Sequence, residues 1–238
     1  MTYLRLMAGC SMLFFDFRQS MIGFPRVVNL VPCWSRKDVR HATLSTVSSY
    51  CSCSEEGRHY HTLEHLADML ERADEDFPGL RRPRIVQLAI FFHDLVYDPK
   101  SGSNEEDSEV IFRAFSEAAG LDVSDATKVS EYIIATKQHN ASESDDRDLR
   151  AFIDLDMAVI GRERTGYLEY AAQIRQEYIH VPGDVYCQKR AQVLQDFLAK
   201  GSIFATEEYR RSLEAAARAN VQAEIEMLKK GVIPMPRE

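Results

Sequence analysis

From Thr62 onward the apolar residues fall at helical spacing. Leu63, Leu66, Leu70, Ala73 and Phe77 step by three and four, which predicts an amphipathic helix that Pro78-Gly79 stops. Pro83 stands where a first-turn proline belongs, and Ile85 to Val96 is apolar almost all round, the pattern of a central helix. Asn104 is expected to cap a helix whose first turn is Glu105-Glu106-Asp107, with Gly120 at its end. Ser124 is expected to cap the next, with Ala126, Val129, Ile133 and Thr136 facing inward. A polar loop from Ala141 to Arg147 leads to a short apolar helix, Ala151 to Ile160, ended by Gly161. Three further helices are predicted near 164–179, 184–199 and 207–229. No stretch alternates with period two, so the expected fold is all-α, one domain of about seven or more helices. That domain covers 45–238 and follows an N-terminal extension, 1–44.

Charge sets the extension apart. Residues 1–44 hold six basic and two acidic residues, whereas the rest holds 23 basic and 35 acidic. A basic, acid-poor leader with an apolar start has three readings: a mitochondrial-type presequence, a poorly ordered arm, or an early start. The whole chain carries a net −8, which argues against a nucleic-acid polymer as partner. The five cysteines (Cys10, Cys33, Cys51, Cys53 and Cys187) are odd in number and contain no C-x-x-C. They read as reduced thiols in an intracellular, most simply cytoplasmic, protein. No run approaches the ~20 apolar residues of a membrane span. Oligomeric state leaves no mark in the sequence.

The chemistry lies where the apolar pattern is broken. His59, His61 and His65 open the first helix, His93-Asp94 sits inside Ile90 to Val96, and Asp154 and Asp156 interrupt Phe152 to Ile160. An unpaired buried carboxylate costs several kcal/mol, and neither apolar run that holds these aspartates contains Lys or Arg. One buried histidine is usually structural. Histidines at i and i+4 together with a His-Asp pair and a third helix's aspartate match the needs of a divalent metal ion.

These residues resemble the HD superfamily of metal-dependent phosphohydrolases. Tyr60-His61-x-x-x-His65, Phe92-His93-Asp94 and Asp154-x-Asp156 carry the likeness, and the Tyr-His-x-x-x-His start is similar to that of cyclic-nucleotide phosphodiesterases. A group of predicted HD phosphohydrolases is closer, over roughly 48–225, through Arg58-x-Tyr60-His61, His93 to Pro99, Asn104-Glu105-Glu106-x-Ser108 and Ile174-Arg175-x-Glu177-Tyr178. The resemblance implies His65, His93, Asp94 and Asp156 as metal ligands and His61 as the acid that protonates the leaving group. It implies that Asp154 orients a ligand or bound water, and it raises Arg58 and Arg175 as phosphate-holding residues. Where the phosphodiesterases have a histidine three residues after the HD aspartate, this chain has Tyr97, which favours one ion over two.

His139, three residues after Thr136, is placed to face the site or to answer the helix dipole. Glu105 reads as a capping charge or a site carboxylate, and Lys137 and Arg190 are further cations that suit a phosphate. The expected reaction is hydrolysis of a phosphate ester or pyrophosphate in a small, nucleotide-like substrate by metal-activated water. The expected cofactor is one divalent ion, with Mn, Fe, Co, Ni or Zn suiting imidazole plus carboxylate better than Mg. Three other readings remain. His61-Thr62-Leu63-Glu64-His65 also spells the H-x-x-E-H peptidase signature, but that reading leaves His93, Asp94 and Asp156 without a purpose. A di-iron oxygenase using His139 and His61 as extra ligands is the second. A non-catalytic, metal-stapled binding module is the third.

Overall fold

The computed structural model describes residues 57–139, 141 and 143–235, so the 1–44 extension lies outside the described residues. Among them the chain forms nine α-helices and no strand, as the periodicity predicts. They are α1 (Leu63–Glu75), α2 (Pro83–Phe92), α3 (Asn104–Ala118), α4 (Val123–Ala135) and α5 (Arg147–Met157), which runs into a 3-10 turn at Ala158–Gly161. Then follow α6 (Arg164–Glu177), α7 (Gly183–Ala199), α8 (Glu207–Ser212) and α9 (Glu214–Lys229).

The apolar-all-round segment is the centre of the fold: α2 packs against α1, α3, α4 and α5. Val86, Ala89 and Ile90 are fully enclosed, and in the same core Phe152 of α5 stacks against Tyr132 of α4. On the far side α7 and α9 pair along their length, and α9 also meets the 3-10 turn, α6 and α8. The α1 stripe is completed by a residue that apolarity does not predict. His65 is buried beside Leu66, Met69, Leu70 and Ala73, while Leu63 is half-buried.

Long-range partners shift several predicted boundaries. The central helix stops at Phe92 instead of Val96, and His93 is its C-cap. The carbonyls of Asp94 and Leu95 are taken by the Arg58 guanidinium at 2.8 and 3.0 Å, and Ser108 Oγ engages Val96, so these residues leave the helical ladder. At the other end the N–H groups of Arg81 and Arg82, just ahead of Pro83, donate to Asp148 of α5 at 3.0 and 2.6 Å, which anchors the start of α2. Asn104 is the first residue of α3, not its cap, and its amide clamps the Asp98 backbone at 3.0 and 2.9 Å. Asp122, two residues before Ser124, caps α4. Gly120 does close α3, with φ +63° in the left-handed region that glycine adopts freely.

The predicted 207–229 helix is two helices that meet at Leu213. Leu213 is held there because Gly161 leaves room for it: a Cβ on Gly161 would stand 2.6 Å from Leu213 Cβ. That close approach involves the stem of a side chain, which cannot swing aside. Gly161→Ala is therefore expected to destabilise the fold by about 1–3 kcal/mol, read as a lower denaturant midpoint with an unchanged slope.

Candidate metal centre

Three helices deliver their imidazole and carboxylate groups to one point. His65 comes from the first turns of α1, His93 and Asp94 from the C-terminal end of α2, and Asp156 from the last turn of α5. His93 Nδ1 lies 3.0 Å from the Ile90 carbonyl oxygen. A carbonyl only accepts, so Nδ1 carries a proton and Nε2 is the nitrogen that faces the cluster.

The separations are those of groups gathered around a single point. Asp156 Oδ1 is 3.1 Å from His65 Nε2 and 3.6 Å from His93 Nε2. Asp94 Oδ2 is 3.1 Å from His93 Nε2 and 4.0 Å from His65 Nε2. A tetrahedron with metal–ligand bonds of ~2.1 Å has edges of ~3.4 Å, so this spacing suits one ion. His65, His93 and Asp94 place ligand atoms all within 4.8 Å of one another, a group that can hold a metal ion. The Nε2 atoms of His65 and His93 are buried without a hydrogen-bond partner among the described residues. Two buried ring nitrogens that face carboxylate oxygens at 3.1 Å without a well-aligned hydrogen bond are costly unless something shared satisfies them.

Electrostatics point the same way. Burial alone would raise both aspartates, yet His93 together with His61 holds Asp94 below the usual carboxylate range, and His139, His65 and His93 hold Asp156 well below it. Burial would lower His93, and Asp94 with Asp156 lifts it well above an ordinary imidazole. The negative potential behind these shifts also suits a divalent cation, which would displace the protons.

The rim differs from the floor. The His65 and His93 side chains are 2% and 1% exposed, whereas Asp94 is 20%, His61 19% and His139 38% exposed. His139 faces the cluster, with Nε2 3.1 Å from Asp156 Oδ2, and it adopts φ +43°. Its carbonyl accepts from Lys200 Nζ at 3.1 Å, which steadies that left-handed turn.

His61 sits beside the cluster, tied to a residue that sequence reasoning did not single out. Its Nδ1 is 2.7 Å from Glu177 Oε2. Glu177 Oε1 also accepts the backbone N–H groups of His59, Tyr60 and His61 at 2.9, 2.8 and 3.1 Å, and Oε2 accepts the Tyr97 hydroxyl at 2.8 Å. Burial disfavours the Glu177 charge, but His61 and these donors outweigh it and bring its pKa down to about 2. Burial likewise opposes the His61 charge, and Asp94 with Glu177 raises it nonetheless. The one sequence signal for Glu177 is its place in the Ile174 to Tyr178 segment, beside Arg175.

Four expected site residues have other uses. Asp154 turns away from the cluster: its oxygens accept Ala205 N at 2.7 Å, Thr206 N at 2.7 Å and Thr206 Oγ1 at 2.5 Å, which ties α5 to the start of α8. Arg175 donates to the Tyr178 and Val181 carbonyls at 2.9 and 3.0 Å and lies over the Tyr186 ring, closing the end of α6. Arg58 grips the turn carrying Asp94, so it shapes the site instead of offering a free fork. Glu105 stands in the first turn of α3, 3.9 Å from Lys137 Nζ, as a capping charge does. Asp154→Ala is thus expected to lower stability by about 1–3 kcal/mol by orphaning buried donors. Metal content per folded chain should stay at the wild-type value, whereas a role at the metal predicts its loss.

No helix among the described residues is long and apolar enough to cross a membrane. No protein-family model, curated protein or solved structure matches this chain.

Proposed function

We propose that this chain is a metal-dependent phosphohydrolase of the HD type, acting on a small, nucleotide-like phosphate ester or pyrophosphate. The observation that carries the reading is the pair of buried Nε2 atoms of His65 and His93, which lack a hydrogen bond among the described residues and converge with Asp94 and Asp156. That donor set suits one ion of Mn, Fe, Co, Ni or Zn better than Mg. Such an ion supplies Lewis acidity, lowering the pKa of a water and polarising a phosphoryl oxygen.

The chain's own residues do the rest. Because the floor is closed by His65 and His93, the substrate phosphate approaches over the exposed rim of Asp94, His61 and His139. His61, tied through Nδ1 to Glu177, has Nε2 as its remaining nitrogen and gives a proton to the departing oxygen from there. His139 holds Asp156 Oδ2, leaving Oδ1 for the cluster. Arg58 fixes the backbone of Asp94 and thereby the direction of its carboxylate. The net charge of −8 fits a small substrate in a cytoplasmic protein better than a nucleic-acid polymer.

The deciding experiment is metal analysis of the purified full chain, joined to a phosphate-release screen over nucleotides and small phosphoesters with several divalent ions. About one transition-metal ion per chain and metal-dependent phosphate release are expected. Full metal loading with no turnover on any ester overturns the catalytic reading in favour of a metal-stapled binding module. The contact between His139 and Asp156 favours one further alternative, a two-iron oxygenase. Two irons per chain and an oxygen requirement would establish it.

A further inference from the structure

The tyrosine that follows the His-Asp pair has an unusual set of neighbours. The Tyr97 ring lies against the His61 imidazole with centroids 4.1 Å apart and planes 29° apart, a stacked pair. Its hydroxyl donates to Glu177 Oε2 at 2.8 Å, the same oxygen that lies 2.7 Å from His61 Nδ1. The Arg58 guanidinium carbon also stands 5.3 Å from the Tyr97 ring centroid. Arg58 in turn binds the backbone carbonyls of Asp94 and Leu95. The order Arg58, Tyr97, His61 thus links the turn that carries Asp94 to the imidazole beside it.

We propose that Tyr97 is a positioning residue for His61, holding the ring by stacking and by a hydrogen bond to the carboxylate oxygen that binds Nδ1, so that the imidazole keeps one orientation beside the cluster. The inference rests on the phosphohydrolase reading for its kinetic consequence and on geometry alone for its structural one. An imidazole on a single hydrogen bond can still rotate about its Cβ–Cγ bond. Stacking removes that freedom, and the tyrosine hydroxyl fixes Oε2 of a carboxylate whose Oε1 is already held by three backbone N–H groups. A misplacement of the proton donor by ~1 Å can cost about 10²-fold in rate, so rigid seating of this ring has a large kinetic return. Tyr97 need not touch substrate to exert it.

The test uses the full chain with Tyr97→Phe, which keeps the stack and loses the hydroxyl, and Tyr97→Leu, which loses both. Metal content is expected to match wild type in each. The first readout is the His61 Nδ1–H proton by nuclear magnetic resonance, which needs no turnover. Tyr97→Phe should move it downfield, because Glu177 Oε2 then serves one donor fewer. Tyr97→Leu should broaden it by exchange with water. An unchanged resonance in both variants overturns the proposal whether or not the protein is a hydrolase. The second readout is hydrolysis of an alkyl phosphoester set against its nitrophenyl counterpart. Tyr97→Leu should lose about 10²-fold on the alkyl ester and far less on the nitrophenyl ester, with Tyr97→Phe between it and wild type. Adding Tyr97→Leu to His61→Ala should cause no further loss, since the tyrosine acts through the histidine. Additive losses would overturn the positioning role and make Tyr97 a substrate contact. If no ester is turned over while both resonances shift as stated, the phosphohydrolase reading fails and the positioning of His61 by Tyr97 stands.

Discussion

His65→Ala and Asp156→Ala are each expected to leave the purified protein without most of its metal. His65 Nε2 and Asp156 Oδ1 are 3.1 Å apart at the centre of the cluster, and both side chains are at least nine-tenths buried. Removing either strips a donor and leaves the others as buried charge with reduced compensation, a change that typically costs ~3–5 kcal/mol. For a domain of this size that is a fall in Tm of roughly 6–20 °C. Asp94→Ala should also lose metal but sit at the low end of the thermal range, because Asp94 is 20% exposed and water screens what remains. A strong chelator should bring wild-type protein down toward the Tm of these variants and leave the variants themselves unmoved. Elemental analysis and thermal melts on the same samples check both halves. Wild-type metal content in all three variants would place the ion elsewhere.

His61→Ala is expected to separate catalysis from metal binding. The residue lies just before Thr62, the N-cap of α1, and so outside the helix it was expected to open, and its Nδ1 is committed to Glu177. It is therefore expected to keep near-normal metal content while turnover falls by ~10²–10⁴-fold, the usual return of a placed proton donor. The fold should survive, since Glu177 retains the Tyr97 hydroxyl and three backbone N–H groups as partners. The loss should shrink for esters with activated leaving groups, which depart without a proton. Equal loss on activated and unactivated esters would argue against the acid role. Loss of metal in this variant would make His61 a ligand and revive the two-iron and peptidase readings.

Much of the fold was legible because helices are written locally. The α1 spacing, the proline opening α2, the all-apolar run at the centre and Gly120 each act within a few residues of themselves. The errors came where the cap or the stop is supplied from far away. Arg58 holds carbonyls 36 and 37 residues ahead just past the end of α2, and Asp148 anchors the segment before it from 66 and 67 residues beyond. The break at Leu213 answers to Gly161, which no window over 207–229 contains.

The site divides along the same line. Residue type alone determined that His65, His93 and a helix-borne aspartate needed a shared partner, because such groups cannot be buried singly at low cost. Residue type did not determine which aspartate it would be. Asp154 and Asp156 are two residues apart, and on a helix that step turns the side chain by about 200°, so one faces the cluster and the other the far side. Packing of α5 between α1 and α2 chose Asp156 for the cluster and gave Asp154 to the α8 backbone. Glu177 lies 116 residues from His61, and the bond between them exists only because α6 returns to the start of α1. Local chemistry named the residues that needed partners, and tertiary packing decided which partners they met.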